Sequence, residues 1–284
     1  MTASDAHIHL FAGGYPGRYG HSPAGGDELA AYLRLREAHD IDRALVVGYE
    51  GGPRFVGNND HLAALAARQP WIAPVAYVPP AGPSTVDELR ARLGQGFVGL
   101  SAYLPGPAEA AALAGWPAGT AATLNAAAAV VSLNATPAAA TGLADAVARL
   151  DGCTVLFSHL GLPGPHPEPP SVDRAAEILA PLRALAGLPH VGVKISGLYA
   201  VSDPSHAWPH AAAAPFVRVL LDTFGPGRLY WGSDFAPSLD AVSFPQTLDL
   251  PALAGLSPAK RDAVYGGNLV RALDRVILPD SHPR

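Results

Sequence analysis

Eight apolar, β-rich runs recur along this 284-residue chain, with segments of helical apolar spacing between them. Strands that are apolar almost throughout and alternate with helices are typical of a parallel sheet covered by helices. Eight such units in one chain favour an α/β fold, a single (β/α)₈ TIM-type barrel, over an open doubly wound sheet, and no GxGxxG motif follows a strand to support the latter. The predicted strands cover 4–10, 41–48, 71–78, 96–102, 128–134, 153–159, 190–196 and 228–234.

The segments between the strands predict helices and one long loop. The alanine-rich stretch 121–129 indicates a helix because alanine is the best helix former. The Gly/Pro-rich segment 11–26 predicts a loop that is either an active-site lid or a flexible connection. No linker divides the chain, which predicts a single domain over 1–284. Further helices are predicted at 27–39, 58–69, 84–93, 137–150, 171–186 and 211–224, with candidate N-caps at Asp27, Asn58, Ser84 and Ser171.

Composition narrows the classes of protein that fit. The net charge is −5 and only two lysines occur, Lys194 and Lys260, so a basic surface for nucleic acid is absent from the sequence. Cys153 is the one cysteine, which excludes an internal disulfide and fits a reducing compartment. Prolines and glycines interrupt both uncharged runs of 18 or more residues, 69–86 and 110–144, and no signal-peptide pattern occurs. We therefore expect a cytoplasmic protein with no membrane or nucleic-acid partner and a small-molecule substrate, its oligomeric state left open.

Four polar residues fall near the ends of predicted strands. His7 and His9 alternate on the first strand, so their side chains point to the same face. His159 closes the sixth strand and Asp234 closes the eighth. Because the carboxyl ends of barrel strands build the active site, we expect the four side chains to meet at one rim. Imidazole and carboxylate groups hold metals or carry protons, so the rim is the candidate catalytic site.

Several motifs give the chain a family likeness. The segments DAHIHLF, SHLGLP, VKISGLY, YWGSDF and GGNLVRAL, in this order, resemble the amidohydrolase superfamily in its amidohydrolase-related (amidohydrolase 2) branch. The nearest likeness is to sugar lactonases and 2-pyrone-4,6-dicarboxylate lactonases, and it extends over essentially the whole chain. This resemblance implies a distorted barrel that hydrolyses a ring ester. Asp234 would handle the proton, while His7, His9 and His159 would polarise the carbonyl directly or hold a divalent metal.

The chain departs from the metal-binding pattern of the superfamily's binuclear members. Those proteins carry a carboxylated lysine on strand four or five and a histidine on strand five. Here the fourth strand ends in Ser101-Ala102-Tyr103 and the fifth in Asn134. We therefore expect at most one metal ion, with zinc the first candidate, and metal-independent catalysis stays an equal alternative. The metal ligands would be His7, His9, His159 and Asp234.

A second departure concerns substrate binding. The pyrone dicarboxylate lactonases grip carboxylates with arginine near the fourth strand, where this chain offers only Ser101 and Tyr103. Further candidate substrate contacts lie in the first two rim loops and inside the seventh strand. An interior lysine needs a partner, so Lys194 is either a site residue or part of a buried ion pair. The loop candidates are Arg18, His21 and Arg54.

The favoured function is hydrolysis of a small cyclic ester or a related C–O or C–N bond. Asp234 would take a proton from the attacking water, and the histidines, with or without metal, would stabilise the oxyanion. Two alternatives stay open. One is a non-oxidative decarboxylase of the same branch, and the other is a non-catalytic barrel that binds a small molecule.

Overall fold

An eight-stranded parallel sheet forms the centre of the molecule. The computed structural model describes residues 2–83 and 85–279, and each strand pairs in parallel with its neighbour in sequence. All eight predicted strands are present, each shortened or shifted by a few residues. Their bounds are β1 Ala3–Ile8, β2 Ile41–Val47, β3 Ile72–Tyr77, β4 Gly99–Leu104, β5 Val130–Ala135, β6 Thr154–Phe157, β7 Val191–Ile195 and β8 Leu229–Trp231.

The first and last strands meet, so the sheet forms a nearly closed barrel. The backbone N–H of Asp234 donates to the carbonyl of His7 at 2.8 Å, and Ile8 bridges to Phe235. Among the described residues β1 and β8 form no regular ladder, and the register change between Asp5 and Ile8 lies in the pairing of β1 with β2. The expected distorted (β/α)₈ barrel is confirmed.

A buried carboxylate replaces the backbone pairing that the seam lacks. The two oxygens of Asp5 accept from the N–H of His7 at 3.1 Å, the N–H of Ser233 at 2.8 Å and the hydroxyl of Tyr32 at 3.1 Å. Burial raises the pKa of Asp5 to about 7, and the hydrogen bonds from Ser233, His7 and Tyr32 oppose that rise. Asp5 therefore joins β1, β8 and the first helix. Because its donors come from three separate elements, sequence reasoning gave it no role.

Helices cover the outside of the barrel. Alternate residues of a strand face opposite sides of the sheet. Residues such as Ala44 and Val46 pack in the cluster that contains the helix residues Leu62 and Leu89, whereas Leu45 belongs to a smaller inner cluster. The α-helices are α1 Glu28–Ala38, α2 Asn58–Ala66, α3 Val86–Gly94, α4 Pro107–Ala114, α5 Ala118–Ala126, α6 Pro137–Ala140, α7 Ala144–Ala148, α8 Val172–Ile178, α9 Ala180–Arg183, α10 Leu198–Val201, α11 Ala214–Phe224, α12 Phe244–Leu248, α13 Pro258–Asp262 and α14 Asn268–Asp274.

Several helix predictions need correction. The predicted helix 137–150 is broken into α6 and α7 around Gly142, a residue that costs about 1 kcal/mol in a helix interior. The predicted helix 171–186 is split into α8, α9 and the 3₁₀ helix Ala184–Gly187, with Pro181 in the first turn of α9, where its missing N–H is tolerated. The predicted 211–224 begins as 3₁₀, and the alanine-rich helix starts and ends earlier than expected, as α5. Sequence reasoning missed α4.

The predicted caps have different outcomes. Asp27 and Ser171 each accept a backbone N–H as expected, from Ala30 and Arg174. Asn58 is wrong as a cap, because it lies inside α2 after Gly57. Ser84 lies outside the described residues, and Thr85 caps α3. Within 2–83 and 85–279, no helix combines the length and hydropathy that a membrane span requires.

Candidate active site

Four side chains meet at the carboxyl ends of β1, β6 and β8. His7 Nε2 lies 3.2 Å from His9 Nε2. Asp234 Oδ1 lies 3.7 Å from His7 Nε2 and 3.8 Å from His9 Nε2. The other oxygen, Oδ2, lies 3.9 Å from His159 Nδ1. The structure thus brings together the four residues that the strand-end argument selected.

Three of the four residues, His9, His159 and Asp234, lie beyond their strands, and the last two have a backbone conformation that residues other than glycine rarely adopt. Strand β6 ends at Phe157 and β8 at Trp231, so the prediction that His159 and Asp234 close these strands is wrong, and both residues belong to the segments that follow. Their φ angles are +53° and +57°, in the left-handed region. Such backbone strain concentrates at functional sites, where the surrounding structure imposes it.

Two glycines of the sequence motifs leave room for these histidines. A Cβ on Gly197 would lie 2.6 Å from His159 Nδ1, and the φ of Gly197 is +64°. A Cβ on Gly232 would lie 2.8 Å from the Cβ of His7. The glycines in ISGLY and WGSD are therefore required by close approach to the site.

The two histidines at the end of β1 are held by different partners. His9 Nδ1 lies 2.8 Å from the carbonyl oxygen of Val47 on β2. His7 Nδ1 lies 3.1 Å from Lys194 Nζ and 3.4 Å from Ser158 Oγ. Burial lowers the pKa of both histidines, His7 most strongly, with the Lys194 charge adding to the shift at His7. Both rings are therefore neutral near pH 7.

Asp234 is buried, and its two oxygens have separate surroundings. The hydroxyl of Tyr199, from α10, donates to Oδ2 at 2.7 Å, which leaves Oδ1 facing His7 and His9. Burial raises the pKa of Asp234 to about 6, against the opposing effects of His9, the Tyr199 hydrogen bond and Lys194. The carboxylate is thus ionised at pH 7 and has a pKa suited to accepting a proton. Sequence reasoning missed Tyr199, which lies 35 residues before its partner.

His159 lies beside the Asp234 carboxylate and is held by Ser196, the residue that follows β7. Its backbone N–H donates to Ser196 Oγ at 3.3 Å, and the same hydroxyl lies 3.0 Å from its Nδ1. Burial lowers the pKa of His159 to about 3, with the Lys194 charge as a second cause. The His159 ring is therefore neutral. It packs against the His7 ring, with the two ring centroids 4.5 Å apart.

Three donor atoms have the spacing of a single metal site. Ligand atoms of His7, His9 and Asp234 all lie within 4.8 Å of one another. Two ligands of a tetrahedral zinc, each bonded at about 2.0–2.1 Å, are separated by a little over 3 Å, and the Nε2 atoms of the two histidines match that separation. The donor set fits one zinc ion. His159, predicted as a fourth ligand, lies outside this group.

Aromatic side chains line one side of the site. The ring of Phe11 stacks on that of His9 at 5.7 Å, and further rings follow in contact at centroid distances of 4.6–6.1 Å. Sequence reasoning selected only Tyr103 among them, although three aromatics at the ends of consecutive strands β2, β3 and β4 were a usable signal. We call this group the aromatic wall, and it comprises Phe11, Tyr49, Phe55, Tyr77 and Tyr103.

The predicted substrate contacts divide into two groups. Arg18, His21 and Arg54 are exposed on the rim loops, and Arg18 Nη2 reaches Ser205 Oγ at 3.4 Å rather than any of the four central residues. Of the inner candidates, Tyr103 joins the aromatic wall. Ser101 and Lys194 are buried and satisfied by protein partners, and the Ser101 hydroxyl donates to the carbonyl of Gly48 at 2.7 Å.

The loop 11–26 is tied down at both of its ends. The carboxylate of Glu28 accepts from the N–H groups of Phe11 and Tyr15, at 3.2 and 2.6 Å, and from the Ser22 hydroxyl at 2.6 Å. The backbone N–H of Arg18 donates to Asp240 after β8 at 2.8 Å. These bonds anchor the segment to the first helix and to the segment after β8, and its role as an active-site lid stays a prediction.

Known proteins similar to this chain share its fold. A crystal structure of an amidohydrolase from Burkholderia multivorans with bound HEPES superposes with a TM-score of 0.75 at 25% identity, over 98% of this chain and 100% of that one. A second crystal form, with bound zinc, has a TM-score of 0.72 at 24% identity over the same shares. A putative 2-pyrone-4,6-dicarboxylic acid hydrolase from Pseudomonas putida has a TM-score of 0.71 at 22% identity, over 96% of this chain and 98% of that one.

Sequence comparison assigns the family. An L-fucono-1,5-lactonase from Burkholderia multivorans is 35% identical over 134 residues, and this match spans only 44% of each of the two chains. The sequence model of the amidohydrolase family (Amidohydro_2) matches residues 4–275, nearly the full length. The resemblance seen in the motifs is thereby confirmed, and the chain belongs to the amidohydrolase family.

Proposed function

We propose that the protein is a lactonase that opens a small cyclic ester with water activated by Asp234. The observation that carries the proposal is the arrangement of this buried carboxylate. The Tyr199 hydroxyl donates to Asp234 Oδ2 at 2.7 Å, and Oδ1 points to the space between His7 and His9. A water in that space would lie between an ionised base and the ring nitrogens that face a substrate carbonyl.

The reaction needs one proton to leave water and one to reach the ring oxygen. Asp234 takes the first as water attacks the carbonyl carbon, and a ring N–H of the histidine cluster formed by His7, His9 and His159 donates to the developing oxyanion. The protonated Asp234 then returns its proton to the departing ring oxygen when the C–O bond breaks, which gives a hydroxy acid. Where one zinc ion is held by His7, His9 and Asp234, it would supply Lewis-acid polarisation of the carbonyl.

The surroundings favour a neutral substrate with an apolar face. The aromatic wall offers flat apolar surfaces beside His9, and the arginines Arg18 and Arg54 are exposed instead of facing Asp234. A dianionic ring would lack bidentate cationic partners here. The relative named as an L-fucono-1,5-lactonase supports a sugar lactone as the substrate class. Cys153 as the one cysteine supports the cytoplasm as the compartment.

A lactone panel tests the proposal directly. Proton release, followed with a pH indicator, would be measured for neutral five- and six-membered sugar lactones, for 2-pyrone-4,6-dicarboxylate and for simple aliphatic lactones. We expect turnover of neutral sugar lactones and much weaker turnover of the dicarboxylate. The same protein would be given hydroxylated aromatic acids with detection of CO₂. CO₂ release would assign the decarboxylase alternative, and tight ligand binding without turnover of any lactone would assign the binding barrel.

A further inference from the structure

Lys194 is fully buried beneath the site, and its amine contacts a serine and a histidine. Its side chain rises from β7, and its relative exposure is 0%. Nζ donates to Ser132 Oγ of β5 at 2.7 Å and lies 3.1 Å from His7 Nδ1. The sequence left open a site role or a buried ion pair. The geometry gives a third arrangement, in which an amine supports a histidine of the site.

Hydrogen-bond donors and acceptors fix which nitrogens carry protons. The carbonyl of Val47 only accepts, so His9 Nδ1 carries a hydrogen and donates to it at 2.8 Å. In the neutral ring, His9 Nε2 is then an acceptor. The contact of 3.2 Å between the two Nε2 atoms is a hydrogen bond only if His7 Nε2 carries the hydrogen. His7 Nδ1 is then an acceptor, and Lys194 is the donor that faces it.

We propose that Lys194 is a positioning residue that keeps the proton of His7 on Nε2. Donation from Nζ to Nδ1 stabilises this tautomer, and it needs only an N–H on the amine, which lysine offers in either charge state. His7 thereby directs its Nε2–H into the space that Asp234 Oδ1 also faces. Where the proposed lactone hydrolysis holds, the carbonyl oxygen of the bound lactone takes the place of His9 Nε2 as the acceptor of that N–H.

The hydrogen bond from Lys194 to His7 Nδ1 also weakens zinc binding. A nitrogen that carries a hydrogen cannot ligate a metal, so zinc at His7 Nε2 requires the proton to move to Nδ1, against Lys194. Among the described residues, Ser158 Oγ is the other group near Nδ1, at 3.4 Å, and it could accept the moved proton. Removing the lysine amine should therefore favour the metal-binding tautomer. The site thus contains three donor atoms with the spacing of a zinc site and a lysine that disfavours zinc binding at one of them, His7 Nε2.

Zinc affinity measured by chelator competition tests the proposal without any substrate. Lys194→Met removes the donor and keeps the length of the side chain, and Lys260→Met, at the exposed second lysine, is the matched control. Outer partners of ligating histidines change metal affinity by roughly 10–100-fold. We expect Lys194→Met to bind zinc about tenfold or more tightly than the wild type, with Lys260→Met unchanged. Equal or weaker zinc binding by Lys194→Met would overturn the proposal.

An NMR measurement on the wild-type protein decides the tautomer independently of any variant's folding. The ¹⁵N shifts of the His7 ring, assigned by comparison with His7→Asn, distinguish a protonated nitrogen from a bare one. We expect, in metal-free protein, a proton on Nε2 and a bare Nδ1. A proton on Nδ1 would refute the role of Lys194. Neither experiment uses turnover, so failure of the lactonase proposal would leave this test intact.

Discussion

At the residue scale, Tyr199 determines how Asp234 is presented. Its hydroxyl donates to Oδ2 at 2.7 Å, so only Oδ1 is directed at His7 and His9. A hydrogen bond to the charged form of a carboxyl group stabilises that form and lowers its pKa. Tyr199 therefore both orients the proposed base and keeps it ionised at neutral pH despite burial.

Replacing Tyr199 by Phe should move the acidic limb of the pH profile. The base works as a carboxylate, so activity falls as pH drops through the pKa of Asp234, which is about 6. Without the phenol the pKa rises, and the limb of kcat/KM should shift to higher pH. The measurement is kcat/KM on an active lactone between pH 5 and 9, with thermal unfolding as the control. An unmoved limb in a folded variant would remove Tyr199 from this role.

The sequence identified the reacting groups better than their supports. His7, His9, His159 and Asp234 were identified because the carboxyl ends of the strands converge in a barrel and these four groups can hold metals or carry protons. Supporting residues such as Ser158, Ser196 and Tyr199 are ordinary residue types, and their roles depend on contacts between distant segments. Only the folded chain reveals which serine or tyrosine reaches which acceptor.

At the element scale, the turn after β7 must stay narrow for His159 to fit. Gly197→Ala would place a Cβ 2.6 Å from His159 Nδ1 at a φ of +64°, so the ring must move. We expect kcat/KM to fall on the order of 10²-fold, the cost of misplacing a reacting group by about 1 Å. Gly227→Ala is the matched control, since its Cβ would meet no atom within 4 Å. Equal activity of the two variants would contradict this account.

The seam between β1 and β8 should depend on Asp5 for stability. Asp5→Ala leaves the buried N–H groups of His7 and Ser233 and the Tyr32 hydroxyl without their acceptor, and each such loss costs about 1–3 kcal/mol. We expect a loss of about 3 kcal/mol or more in the free energy of unfolding, measured with urea. Tyr32→Phe, which removes one of these bonds, should cost about 1 kcal/mol. Equal losses in the two variants would argue against the seam.

The sequence predicted best those elements, the barrel strands, whose burial alone determines their pattern of apolar residues. The barrel strands are apolar nearly throughout, so their number and order were readable, with bounds shifted by a few residues. Helix ends were less readable. Asparagine is a preferred N-cap residue, yet the side chain of Asn58 accepts from the N–H of Tyr49 and donates to the carbonyl of Leu10. Long-range bonds of this kind override local propensity.

At the scale of the whole molecule, the barrel gathers residues that are far apart in sequence. The order of eight βα units predicted the fold and the rim on which the site lies. The closure of the barrel through Asp5 was not predictable, because a side chain there substitutes for backbone pairing. Only Tyr103 of the aromatic wall was selected, because the rings come from two strands, β3 and β4, and from the segments that follow β1 and β2.

The number of metal ions that the protein can hold depends on how many groups of suitably spaced ligand atoms the barrel contains. His7, His9 and Asp234 form one group of suitable spacing within the described residues. Lys194 approaches His7 from below with a donor and offers no ligand for a second ion there. We expect zinc-loaded protein to hold no more than one equivalent per chain, measured by inductively coupled plasma mass spectrometry after gel filtration. Two tightly held equivalents would contradict this prediction.

The central claim is that Asp234 is the base, and turnover by Asp234→Asn tests it most directly. An amide keeps the shape and can still hydrogen-bond to Tyr199, but it cannot take a proton from water near neutral pH. General-base assistance contributes roughly 10²–10⁴-fold, so kcat on an active lactone should fall by that factor while the melting temperature stays near that of the wild type. Near-wild-type turnover by the folded Asn variant would contradict the account.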